Sequence, residues 1–179
     1  LLHSGLYWPA ISNPDLTQIK DKWTENCPVV TIVFYRALLQ TSDLDPIDVL
    51  IKKLQSQNLN PLPIFVGSLK DPISAEIVKK LIKETYPAVI LNCTGFAVSS
   101  PGNNIQDTPF HPANCPVFQV ILSGGTFLEW QEGKRGLSPK DLAMNVALPE
   151  VDGRLITRAI SFKKSQEFDE ATEVSVIKH

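Results

Sequence analysis

Pro28-Val29-Val30-Thr31-Ile32-Val33-Phe34-Tyr35 is a proline followed by seven uncharged residues, the first five of them β-branched. The run is too short for a buried helix and too evenly apolar for a strand with one wet face. It predicts a strand covered on both sides. The same figure returns after Pro61 (Leu62-Pro63-Ile64-Phe65-Val66), Pro87 (Ala88-Val89-Ile90-Leu91) and Pro116 (Val117-Phe118-Gln119-Val120-Ile121-Leu122). The spacing is about 30 residues, room for a crossover helix and a parallel return.

Helix signals fill the gaps. Asp45-Pro46-Ile47-Asp48 supplies an N-cap, a proline at the first helical position and an acid in the first turn, and Ile47, Leu50, Ile51 and Leu54 then share one face. Asp71-Pro72 or Ser74 opens a second helix with Ile77, Val78, Leu81 and Ile82 inward and Lys79, Lys80 and Lys83 in water. Right-handed crossovers convert this alternation into an α/β fold: a Rossmann/flavodoxin-like, doubly wound, mostly parallel sheet with helices on both faces. Ligands of such sheets sit at the carboxyl ends of the strands. Those ends carry Tyr35 and Arg36; Gly67, Ser68 and Lys70; Asn92, Thr94 and Gly95; and Ser123, Gly124, Gly125 and Thr126. Polar and small residues at all four ends predict a lined cleft.

Outside this frame, Leu16, Ile19 and Trp23 predict a short helix over 15–25, and the aromatic pair Tyr7-Trp8 reads as packing. Ser99–Asn114, rich in Pro, Gly and Asn, reads as an irregular loop that offers the one place for a lid, with His111 solvent-exposed. Ser138-Pro139-Lys140-Asp141 starts a last helix, and Leu155–Phe162 alternates as a fifth strand nearer an edge. The expected division is an N-terminal extension over 1–27, the α/β domain over 28–162 and a polar tail over 163–179 leading towards further sequence.

Composition narrows the function. Of 179 residues 43% are hydrophobic and 20% charged, a globular mix, and the net charge of -2 argues against nucleic acid as partner. No apolar run approaches a membrane span and the first residues do not read as a signal peptide, so a cytoplasmic location is expected. Cys27, Cys93 and Cys115 are far apart and form no C-x-x-C pair, as for free thiols in a reducing compartment. The chain begins with Leu1 instead of Met, which points to processing or to a piece of a longer protein. P-loop, G-x-G-x-x-G, H-E-x-x-H and G-x-S-x-G motifs are missing, which removes the commonest nucleotide and hydrolase chemistries.

One stretch remains: Asn145-Val146-Ala147-Leu148-Pro149-Glu150-Val151-Asp152-Gly153-Arg154. Pro149 is expected to stop the helix that leads into it, leaving Glu150 and Asp152 on a corner closed by Gly153. Acids on a rigid corner suit proton transfer or a hard metal ion; a solvated turn is the plain alternative.

Gly5-Leu6-Tyr7-Trp8-Pro9, Phe34-Tyr35-Arg36, Asn60–Val66, Ser68-Leu69-Lys70-Asp71-Pro72, Asn92-Cys93-Thr94-Gly95-Phe96-Ala97, Pro116–Val120 and Leu142–Arg154 together resemble the CobN/magnesium-chelatase family. The likeness runs from about Gly5 to Phe162 in the family's order, and the Pro-Glu-x-Asp-Gly core followed by Arg154 looks closer to the cobalt branch. That branch often has His where this chain has Trp8.

The resemblance implies a domain from the N-terminal half of a large, tetrapyrrole-binding cobaltochelatase subunit. Such a subunit inserts Co2+ as substrate into a corrinoid precursor of the hydrogenobyrinic acid a,c-diamide type, in cobalamin biosynthesis. It is an ATP-dependent chelatase of the ligase class, with ATP used by partner ATPase subunits and not bound by this chain, which alone is expected to be inactive. Glu150 is expected as general base or metal ligand, with Asp152 as its helper or as a turn former. Arg36, Lys70 and Arg154 are expected to pair with substrate side chains, Asn92, Thr94 and Gln119 to supply uncharged hydrogen bonds, and Tyr35, Phe96 and Trp130 to offer flat contact. A surface role for Lys70 and a salt bridge inside the turn for Arg154 stay open beside these. Two alternatives stand: a magnesium chelatase large subunit inserting Mg2+ into protoporphyrin, and a flavodoxin-like scaffold without chemistry. The scaffold would be marked by Tyr35, Phe96 and Trp130 packed on one another.

Overall fold

A computed structural model describes residues 2–99, 108–134, 136–169 and 174–179, with backbone alone at 165–169 and 174–176. Its elements are β1 (Ser4–Leu6), α1 (Leu16–Lys20), β2 (Val29–Tyr35), α2 (Arg36–Gln40), α3 (Asp45–Gln55), β3 (Asn60–Val66), α4 (Pro72–Thr85), β4 (Val89–Asn92), β5 (Val117–Thr126), α5 (Phe127–Glu132), α6 (Pro139–Leu142), α7 (Leu148–Glu150), β6 (Leu155–Asp169) and β7 (Val174–Lys178). They build one mixed seven-stranded sheet in the order β1-β3-β2-β4-β5-β6-β7. β2 through β6 are parallel, while β1 and β7 run antiparallel at the two edges.

The five predicted strands are all present. The first three connections run from β2 outward to β3, back across β2 to β4, and on to β5. With right-handed crossovers this reversal sends α3 and α4 to opposite faces. Burial agrees, because Val30, Thr31, Ile32, Val33 and Phe34 are all buried in succession and every residue of β3 is buried. Ile47 and Ile51 of α3 and Val78 and Ile82 of α4 join this core. α4 is capped as read, with the Asp71 carboxylate accepting from Ile73 N and Ser74 N and Pro72 in the first turn.

The approach to β2 is fastened to the start of β3 by one side chain. Asn60 accepts from Thr24 N at 2.8 Å and donates to Thr24 O and Cys27 O, both at 2.9 Å. Asn60→Ala leaves Thr24 N and Cys27 O without a protein partner and Thr24 O with Cys27 N alone, and is expected to cost about 1–3 kcal/mol, read as a lower denaturant midpoint. Cys93, after β4, is buried, and burial pushes its thiol up to about 12. It stays protonated at pH 8, so a thiol reagent is expected to reach Cys93 only after unfolding.

Two expectations need correcting. Pro149 does not end the helix. After α6, Ala143–Ala147 widens into a π-helical turn in which Leu148 N donates to Ala143 O, and α7 carries on through Pro149. The extra residue shifts the helical frame, so the missing N–H and the proline ring fall where the regular ladder is already interrupted. The tail is a hairpin: β6 extends to Asp169 and β7 returns along it, pairing Lys164 with Lys178. Beyond β7, His179 N donates to the buried Asp43 carboxylate at 2.8 Å. Pro101 and the polar residues of 100–107, the centre of the expected lid, lie outside the described residues; His111 is exposed, as expected.

The two ends of the sheet differ in cover. Leu155 and Ile156, neighbours on opposite faces of β6, are 51% and 37% exposed. The β6–β7 pairing begins only at Lys164, so the first half of β6 has a free edge among the described residues.

Candidate functional site at the carboxyl ends of the strands

β2, β3 and β4 stop together, and a hollow of about 200 Å3 opens above their ends. Tyr35 lines it from the end of β2, Ser68 and Lys70 from the turn after β3, and Thr94, Gly95 and Phe96 from the loop after β4. This is the reversal point of the strand order, where doubly wound sheets place ligands. Burial raises the Tyr35 pKa, so the hydroxyl keeps its proton and donates it to Gly95 O at 2.9 Å.

Beneath the hollow lies a buried polar floor. Asn92 Nδ2 donates to Gln119 Oε1 at 2.8 Å and to Thr94 O at 2.9 Å, and Thr94 Oγ1 donates to Asn92 Oδ1 at 2.8 Å. Gln119 Nε2 adds a bond to Thr94 O at 2.9 Å. Arg154 enters from the start of β6, its Nη1 donating to Gln119 Oε1 at 2.9 Å and to Thr94 O at 3.3 Å. Its Nη2 meets Asp152 Oδ2 at 2.6 Å, and the guanidinium lies 5.8 Å from the centroid of the Phe110 ring. Burial pulls the Arg154 pKa down while the Asp152 carboxylate opposes that shift. Asp152 also accepts from Val98 N at 2.8 Å, from Ser99 N at 2.9 Å and from the Ser99 hydroxyl. One carboxylate therefore ties the loop after β4 to the corner before β6.

Of the predicted residues, Asn92, Thr94, Gln119, Asp152 and Arg154 come together in this floor, and Lys70 stands exposed at the rim of the hollow. Asp152 takes the part of turn former and Arg154 that of its salt-bridge partner. Glu150 is exposed, on α7 between Leu148 and Val151, and lines none of the cavities described. The corner around it is well held: Gly153 adopts φ 70° and donates to Glu150 O at 2.9 Å, a left-handed conformation that side chains disfavour. Arg36 is turned to another duty, its Nη1 reaching Leu2 O at 3.3 Å, and it does not line the hollow.

Trp130 stands apart in an aromatic trio, with ring centroids 5.5 Å from Phe127 and 5.3 Å from Phe162. It borders a second cavity of about 480 Å3 with Thr126 and Glu129. Trp130 therefore packs on neither Tyr35 nor Phe96, and the filled cleft expected of a mere scaffold is not formed. Among the described residues no three His, Cys, Asp or Glu side chains gather as a resident metal cage, and no helix is long and apolar enough to cross a membrane.

Three features were missed from the sequence. Asp141 is buried and accepts from Ser123 Oγ at 2.8 Å and Gly124 N at 3.1 Å, fixing the end of β5; nothing local distinguishes it from an ordinary first-turn acid. Helix α5 had a legible signal, the capping box Thr126-x-x-Glu129. Phe96 adopts φ 64°, rare for an aromatic residue, and donates its N–H to Met144 O at 2.9 Å in the π-helical turn. A Cβ on Gly95 would meet Met144 O at 3.1 Å, so the loop and that turn touch backbone to backbone.

Comparison with known proteins agrees with this architecture. The chain is 42% identical to the aerobic cobaltochelatase subunit CobN of a Sinorhizobium species, over all of this chain and 15% of that protein. Identity is 38% to the Pseudomonas aeruginosa CobN, over 97% of this chain and 14% of that protein. The chloroplastic magnesium-chelatase subunit ChlH of Oryza sativa subsp. indica is 29% identical, over 83% of this chain and 11% of that protein. The catalytic subunit of cobaltochelatase from Mycobacterium tuberculosis shares the fold, with a TM-score of 0.70 and 23% identity over 99% of this chain and 14% of that one. The chain thus spans about one seventh of the cobaltochelatase relatives it matches. A family model described as CobN/Magnesium Chelatase matches residues 2–179, and the chain belongs to that family.

Proposed function

We propose that this chain is part of the large, tetrapyrrole-binding subunit of a cobaltochelatase, inserting Co2+ into a corrinoid precursor. The observation that carries this is the 42% identity to a CobN subunit along the whole chain, against 29% for the magnesium-chelatase ChlH. In this proposal ATP is used by partner ATPase subunits of the complex.

Insertion requires a divalent ion to shed water onto hard or borderline ligands, and two pyrrole N–H protons to leave the ring. Glu150 is the carboxylate assigned to this work, as base for those protons or as ligand for the incoming ion. Asp152 is spent on Arg154, Val98 and Ser99, whereas Glu150 faces outward among partly exposed apolar residues, and this favours Glu150 in the proposal. Apolar surface closing over Leu148 and Val151 would strip water from the carboxylate and make it a stronger base.

The complete subunit, combined with its ATPase partners and ATP, is expected to convert the corrinoid and Co2+ to the cobalt corrinoid. Insertion that continues without ATP or without the partners would refute the ATP-dependent, multi-subunit part of the proposal.

A further inference from the structure

We propose that the hollow between Tyr35, Lys70 and Phe96 takes one peripheral carboxylate arm of the macrocycle, with Lys70 as its counter-charge. This rests on the tetrapyrrole reading above. Size comes first. At about 200 Å3 the hollow is smaller than the cavities that enclose whole drug-sized ligands, so a macrocycle enters only by a substituent.

Charge comes second. Among the described residues no acid lines the hollow, and Lys70 is its one charged wall residue. The nearest carboxylate in sequence, Asp71, is occupied by Ile73 N, Ser74 N and Ser74 Oγ at the start of α4. Arg154 lies behind Tyr35, near enough to act on its hydroxyl, but Asp152 offsets that charge. Lys70 therefore supplies the net positive charge that an anionic arm meets.

Conformation comes third. Phe96 lines the hollow, is 47% exposed and holds φ 64°. A strained, half-exposed aromatic contributes little packing to offset its strain, and residues of this kind cluster at ligand clamps. Beside the arm it offers a flat face to the ring edge.

The test titrates the complete subunit with a corrinoid precursor bearing free carboxylates and with the same compound fully amidated. Lys70→Gln is expected to weaken the acid by about five- to tenfold, leave the amide unchanged and flatten the salt dependence of acid binding. Equal weakening of acid and amide, or no change in either, overturns the arm subsite while tetrapyrrole binding stands. Failure of the unmutated subunit to bind either compound overturns both. Phe96→Gly relieves the backbone strain, so it is expected to weaken both compounds without lowering Tm. A lowered Tm with unaltered binding would make Phe96 a packing residue and remove the ring contact.

Discussion

Glu150→Gln in the complete subunit is expected to lower the rate of metal insertion by about 10²- to 10⁴-fold, the usual contribution of a positioned base. The substitution keeps shape and size but removes the charge. Glu150 is exposed and makes no side-chain hydrogen bond among the described residues, so folding stability should stay within about 0.5 kcal/mol. Tetrapyrrole affinity should also be nearly unchanged, because the carboxylate acts on protons or metal and not on the ring's substituents. Insertion assays, unfolding curves and binding titrations on the one variant separate these effects. Unchanged insertion would remove Glu150 from the chemistry.

The largest effect on stability is expected two residues further on. Asp152→Ala leaves the Arg154 guanidinium buried without its carboxylate and takes the acceptor from Val98 N and Ser99 N. Breaking a buried pair in this way costs about 3–5 kcal/mol. Arg154→Met should cost less, since Asp152 then keeps the two N–H donors and the Ser99 hydroxyl. Denaturant midpoints for the two variants check the order; a smaller loss for Asp152→Ala than for Arg154→Met would contradict the role given to Asp152.

The frame of the fold was legible because propensity, burial and spacing all agree at the β-branched run Val29–Tyr35, while in Asn60–Val66 burial and spacing carry the strand in spite of Pro61 and Pro63. Where these signals part company, the sequence is silent. β1 has three residues and gains its strand character only from pairing with β3. The β6–β7 hairpin follows from a pairing that polar residues do not announce. Pro149 shows a rule giving way, since a π-helical turn absorbs what would break a regular helix.

At the site, residue types were legible but not their division of labour. Asn92, Thr94 and Gln119 lie one and two strands away from Arg154, and only register brings Asn92 opposite Gln119 and Gln119 opposite Ile156. That register joins them in one buried network that reaches the hollow through Thr94, while Tyr35, Lys70 and Phe96 line its wall. Arg36 and Trp130 belong to the right strand ends, yet a backbone carbonyl and an aromatic trio claim them. Such competition among partners is decided in three dimensions.

The most direct test of the cobaltochelatase assignment is a competition titration of the complete subunit between a corrinoid precursor and protoporphyrin, with and without Co2+. Tighter binding of the corrinoid, by about tenfold or more, is the predicted result. Preference for the porphyrin, or binding of neither ring, would contradict it.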